Sequence, residues 1–178
     1  VIFTAAPLAG AFVLDVERHE DARGFFARTF AAEEFEAHGL DPRVVHCNVS
    51  FNRRRGILRG MHWQAEPHGE AKLVRVTSGA IWDVIVDVRA GSPTRWQWFG
   101  VELSAATRRA LYVPVGFAHG YQVLADDTEV FYQMSVPFHA PSSRGLRFDD
   151  PRLAISWPLP DPEVNDRDRA WPLLEPGA

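Results

Sequence analysis

The sequence predicts an all-β fold, a jelly-roll sandwich or barrel with one or a few short helices, and three observations carry that expectation. Between positions 44 and 136, eight runs rich in β-branched and aromatic residues follow one another at intervals of about ten residues. Turn formers separate these runs, and only one stretch of the chain has convincing helical character. The length, 178 residues, suits one domain with a substantial core and would be cramped for two. Many short strands with little helix bury their apolar faces against one another, as sandwiches and barrels do.

Taken in order, the elements read as follows. The opening VIFTAAPLAGAFVL (1–14) is apolar but broken by Pro7 and Gly10, and it lacks a basic leader, so it reads as an early strand and turn rather than a signal peptide. AAEEFEAHG (31–39) is the helix, with acidic residues early and Gly39 as its stop. The strands are VVHCNVS (44–50), GILRGMHW (56–63), AKLVRVTS (71–78) and AIWDVIVDV (80–88), then QWFGVEL (97–103), ALYVPV (110–115), GYQVLA (120–125) and EVFYQMSV (129–136). Thr77-Ser78-Gly79-Ala80 reads as a hairpin turn joining the third and fourth of these. In 80–88, Trp82, Val84, Val86 and Val88 share one face and Asp83, Ile85 and Asp87 the other, the alternation of a half-buried strand. From about Trp157 the chain is broken by prolines and is expected to run over the surface as an irregular tail of a single domain covering 1–178.

Composition excludes some function classes. Hydrophobic content of 46% and charged content of 24% are those of a soluble globular protein. A net charge of −4 argues against nucleic acid or an anionic membrane as the main partner, and no apolar run is long enough to span a bilayer. Cys47 is the only cysteine, which rules out an internal disulfide and fits a reducing compartment, so a cytoplasmic location is expected. Of nineteen basic residues only Lys72 is lysine. Lysine offers what arginine does not, a compact mobile charge able to approach a single oxygen.

RGILRGMHWQ (55–64) carries the first chemical signal. In a regular strand Arg59 and His62, three apart, face opposite ways unless Gly60 supplies a bend. Taken singly, they are a surface arginine and a core histidine with a hydrogen-bond partner. The spacing from Gly56 to His62, and Pro114-Val115-Gly116-Phe117-Ala118-His119, half-match the two loose signatures of cupin-type jelly rolls. Where a metal-binding cupin has its second histidine, this chain has Gln64. His68 and Glu70 could substitute, but a good site needs three or four convergent ligands, so a metal is the less favoured reading, and no metal or other cofactor is expected.

RGILRGMHWQ, Lys72, DVIVDVR (83–89), SPT (92–94), PVGFAHGYQVL (114–124), VFY (130–132) and DDPRLAISWP (149–158) occur in order. Together they resemble the dTDP-4-dehydrorhamnose 3,5-epimerases and their relatives acting on nucleotide-bound 4-keto sugars, from about Asp21 to Asp168. The resemblance implies a metal-free cupin jelly roll and a homodimer whose N-terminal strands exchange between subunits. It implies His62 as general base, Asp168 as the carboxylate orienting it, Tyr132 as proton donor on the opposite face of the sugar, and Lys72 as the cation near the C4 oxygen. Arg23, Asn48, Arg59 and His119 fall where the family contacts the nucleotide sugar, and arginines suit a pyrophosphate. Protons beside a ketone are acidic enough for a side-chain base if the enolate oxygen is stabilised as it forms.

Departures from the family pattern mark what is not inherited. Arg28 stands where the family has Glu, His46 where a glutamine is usual, Phe138 in place of a base-stacking tyrosine, and Ser143 in place of a substrate-binding Glu. Asn165 and Arg167 replace the usual Ser and Lys of the tail motif. Arg28, His46, Phe138, Ser143, Arg167 and Gln64 are assigned to substrate binding, with drift or an altered nucleotide sugar as the two explanations of the changes. Alternatives that need the same enolate are an epimerase acting at C3 or C5 alone and a 3,4-ketoisomerase. A silent sugar-nucleotide binding domain and a metal-dependent cupin oxygenase belong to other classes.

Overall fold

The computed structural model describes residues 1–175. The chain opens with a hairpin, β1 (Ile2–Ala5) and β2 (Phe12–Asp15), followed by a small separate hairpin, β3 (His19–Asp21) and β4 (Gly24–Phe26). Helix α1 (Ala32–Ala37) has Glu33 and Glu34 in its first turn, where the helix dipole favours them. It stops at Gly39, whose φ of +70° is readily adopted only by glycine. Strands β5 (His46–Asn52), β6 (Leu58–Gln64), β7 (Lys72–Ser78), β8 (Ala80–Asp87), β9 (Trp98–Ser104), β10 (Ala110–Val113), β11 (Phe117–Val123) and β12 (Thr128–Met134) follow. Short β13 (Ser143–Gly145) and helix α2 (Asp166–Arg169) complete the chain.

All the strand pairs are antiparallel, in a six-stranded sheet ordered β1-β2-β10-β7-β12-β5 and a five-stranded sheet ordered β13-β6-β11-β8-β9. Their inner faces share one core in which Val74, Val76, Leu111 and Val130 of the first sheet meet Ile81, Ile85, Leu103 and Phe117 of the second. This is the all-β, jelly-roll-type architecture expected. Among the described residues, no helix is long and apolar enough to cross a membrane.

Two local expectations are corrected. Residues 77–80 do not close a hairpin, because β7 and β8 lie in different sheets and are not paired. Gly79, at φ +76°, turns the chain from one sheet into the other, and a side chain there would run into Thr128. A strand–turn–strand pattern reads the same whether the second strand folds back or crosses over. Nor is β8 half-buried: Val84, Ile85, Val86 and Asp87 are all 0% exposed. Its outer face, Val84 and Val86, is covered by Leu146, Leu153, Trp157 and Leu174 from the last third of the chain. From Trp157 on the chain is largely irregular and exposed, yet it packs Trp157 and Leu174 with the β8 residues and carries Asp168 to 1% exposure.

Candidate active site

Antiparallel pairing resolves the oddity of Arg59 and His62. His62 lies opposite His119 and Arg59 opposite Tyr121, so β6 has two residues, Gly60 and Met61, where β11 has only Gly120. This is a β-bulge, and it brings two side chains three apart onto the same inner face. Gly60 adopts φ +131°, and a Cβ there would strike the backbone of Gly120. Glycine is required at this step on both counts.

Arg59 and His62 open into a cavity of about 280 Å³ between the sheets, together with Lys72, Tyr132, His119 and Asp168. A second cavity of about 380 Å³ adjoins it, sharing His62, Lys72, Tyr132 and Arg167, and adds His46, Asn48, Gln64, Glu70, Phe138 and Ser143. His62 reaches this space from the five-stranded sheet, whereas Lys72 and Tyr132 reach it from the six-stranded one. A ligand seated between them therefore meets the imidazole and the phenol from opposing walls.

His62 Nε2 lies 2.6 Å from Asp168 Oδ1, and the second carboxylate oxygen accepts the Gly60 backbone N–H at 3.1 Å. Asp168 is held in turn by α2, where Asn165 caps the helix by accepting the Asp168 N–H at 2.7 Å. Burial pushes the Asp168 carboxyl up, but the hydrogen bond and charge of His62 and the Gly60 N–H outweigh it, leaving the carboxyl below its ordinary 3.8. An aspartate held ionised beside a histidine fixes the ring and stabilises its protonated form. Trp171 stands edge-on to His62, with ring centroids 6.4 Å apart.

Burial raises the Tyr132 phenol above its ordinary 10.0, the charge of Glu70 adds to this, and Arg59 opposes it. At neutral pH Tyr132 is a proton donor. Lys72 Nζ is 2.8 Å from Glu70 Oε1, and both side chains are buried. His119 forms a second imidazole–carboxylate pair, with Asp83 at 2.7 Å, and Arg59 donates to Asn52 Oδ1 at 2.8 Å. A base paired with an ionised acid, a facing phenol and a charged amine can remove and return a proton beside a carbonyl.

Other sequence-assigned residues vary in their relation to the cavity. Asn48 and His46 line its second part from β5, Phe138 stands 57% exposed at its edge, and Arg167 bonds Ser143 Oγ at 3.0 Å across it. Gln64 is buried with its amide holding backbone, donating to the carbonyls of His68 and Pro137 and accepting the His139 N–H at 2.5 Å. Arg23 and Arg28 lie outside both cavities: Arg23, on the β3–β4 hairpin, is 90% exposed and paired with its neighbour Asp21. Among the described residues no group of three or more His, Cys, Asp or Glu is placed to hold a metal ion.

Asp83 went unassigned in the sequence, and Glu70 entered only as a possible substitute metal ligand. Spacing offered a clue for Glu70, since a residue two before Lys72 in extended chain shares its face. The motif DVIVDVR…SPT has a structural role at its second aspartate. Asp87 accepts from Arg89, Ser92 and Thr94 at 2.6–2.9 Å and ties the β8–β9 connection together.

The family model described as dTDP-4-dehydrorhamnose 3,5-epimerase matches residues 5–176. A relative of that name from Methanothermobacter thermautotrophicus is 42% identical over 178 residues, covering 97% of this chain and 95% of its own. Among solved structures, the Bacillus anthracis epimerase with TDP and pyrophosphate bound superposes with a TM-score of 0.93 at 39% identity, covering 97% of this chain and 99% of that one. The Legionella pneumophila enzyme in complex with dTDP-4-keto-L-rhamnose gives 0.90 at 36% identity, with 97% and 92% covered.

Proposed function

The chain belongs to the dTDP-4-dehydrorhamnose 3,5-epimerase family, and from that premise we propose that it inverts C3 and C5 of dTDP-4-keto-6-deoxyglucose through enolate intermediates. The observation that carries this reading is the oriented His62–Asp168 pair facing Tyr132 across one cavity. His62 takes the proton from the carbon beside the C4 ketone, and the electron pair moves onto the ketone oxygen, where the Lys72 ammonium balances it. Tyr132 delivers a proton to the same carbon from the other face, and solvent exchange then restores phenol and imidazole. Arg59 and His119 bind the diphosphate end, and Arg167, Phe138 and their neighbours hold the nucleotide.

Arg23 and Arg28 enter the reading through a second subunit. β5 is an outer strand of its sheet, with Val49 57% and Phe51 51% exposed, and Phe26 on the β3–β4 hairpin is 67% exposed. An unpaired apolar edge of this kind favours strand addition from another chain. In the proposed homodimer, N-terminal strands exchange and each subunit's Arg23 approaches its partner's cavity.

The test is product analysis by NMR with dTDP-4-keto-6-deoxyglucose beside CDP- and GDP-linked 4-keto sugars, compared by kcat/KM. Preference for the dTDP sugar with both centres inverted supports the proposal. Inversion of one centre alone, a moved carbonyl, or preference for another nucleotide replaces it. A clear dTDP preference would also make the changes at Arg28, His46 and Ser143 neutral drift.

A further inference from the structure

The cavity holds one carboxylate that the proton transfers above do not use. Glu70 lies two residues before Lys72, the first residue of β7, and the two side chains lie on the same wall. Glu70 Oε1 is 2.8 Å from Lys72 Nζ, with the side chains 5% and 10% exposed. Its other oxygen, Oε2, is buried with no hydrogen-bond partner. A carboxylate kept so dry is expensive, since burying charge costs several kcal/mol per ion before pairing repays it. Its neighbours at the cavity are the groups that must carry positive charge or a proton.

We propose that Glu70 is a positioning residue of this site: it anchors the Lys72 ammonium at the cavity wall and sets its negative charge in the cavity that Tyr132 lines. The inference deepens the epimerase reading and rests on it only for its activity arm. The cationic groups around Tyr132 are Arg59, Lys72 and Arg167, with the imidazoles of His46, His62 and His119 on the surrounding strands. The only other phenol there is Tyr121. Of the two carboxylates lining the cavities, Asp168 is engaged by His62, which leaves Glu70 as the one beside Lys72 on the six-stranded wall. Asp41, near the lysine stem, is paired with Arg43 at 2.6 Å. A nearby negative charge disfavours a phenolate, and Glu70 acts on Tyr132 in that direction. One carboxylate thereby serves both partners of the enolate oxygen and the far face.

Composition makes the test clean, because the chain has one lysine and three tyrosines. In protein labelled with ¹⁵N-lysine and ¹³Cζ-tyrosine, the parent is expected to show one ammonium cross-peak protected from water exchange. Glu70→Gln, nearly isosteric, should lose that cross-peak and lower the Tyr132 titration midpoint by about half a pH unit or more. Tyr112 should titrate as in the parent. Glu70→Asp, which keeps the charge but draws it back by a methylene, should shift Tyr132 less, and it serves if Glu70→Gln does not fold. In turnover, Glu70→Gln should lower kcat about 10–10²-fold with a smaller change in KM, and its alkaline limb should move to lower pH. A Tyr132 midpoint unchanged in the folded variants, or a persistent lysine cross-peak in Glu70→Gln, overturns the proposal. The NMR result holds whether or not the chain proves to be an epimerase, so the two failures are distinguishable.

Discussion

His62 and Asp168 illustrate how much chemistry a single hydrogen bond can fix. The 2.6 Å contact, backed by the Gly60 N–H, leaves the imidazole one orientation and keeps its partner charged. Replacing His62 with Asn is expected to lower turnover by at least the 10²–10⁴-fold typical of a general base, with the fold retained by circular dichroism. Asp168→Asn should be milder in activity because the ring remains. It should also change the pH dependence of stability. The folded carboxyl lies below its ordinary 3.8, so its stabilisation is present above that value and is lost as pH falls through the lower, folded one. Thermal melts should therefore find Asp168→Asn less stable than the parent at pH 7, with the gap closing in acid. An equal gap at every pH would show that the carboxylate's charge contributes nothing.

Elements set these residues in place, and two small ones matter more than their size suggests. The bulge at Gly60 brings Arg59 and His62 to one face, and Gly60→Ala should cost activity more than stability, read as a loss of kcat/KM exceeding any loss predicted from the melting temperature. The four-residue α2 depends on its cap, so Asn165→Ala should cost about 1 kcal/mol in denaturant titrations and reduce kcat by letting Asp168 drift. The β-runs and the helix at 31–39 were legible because alternation, turn residues and a glycine stop are local signals. The bend at Gly60 was legible as a possibility, since only a glycine between two mismatched faces hints at it. What could not be read was partner choice: that residues 77–80 cross between sheets, and that Leu146, Leu153, Trp157 and Leu174 cover β8. Both depend on contacts between residues distant in sequence, which no local pattern encodes. The spacing of Glu70 and Lys72 puts both on one face of the chain, but the burial of the pair depends on the fold around them.

At the scale of the whole molecule, two antiparallel sheets act as opposing jaws, with the imidazole on one and the phenol and amine on the other. A binding cavity needs no such opposition, whereas inversion of a carbon centre requires groups on both faces. Tyr132→Phe is accordingly expected to separate the half-reactions: slow solvent exchange through His62 persists while net inversion falls much further. Equal losses would refute that division of labour. The exposed β5 edge and hairpin predict a dimer by light scattering, and Arg23→Ala should raise KM while leaving kcat within about threefold, as loss of uniform binding does. The most direct test of the central claim is to incubate the protein with dTDP-4-keto-6-deoxyglucose in heavy water and read deuterium at C3 and C5 by NMR. Enolate chemistry in this cavity predicts deuterium at both carbons with the parent and at neither with His62→Asn. Product formed without deuterium at either carbon, or labelling undiminished in His62→Asn, would contradict it.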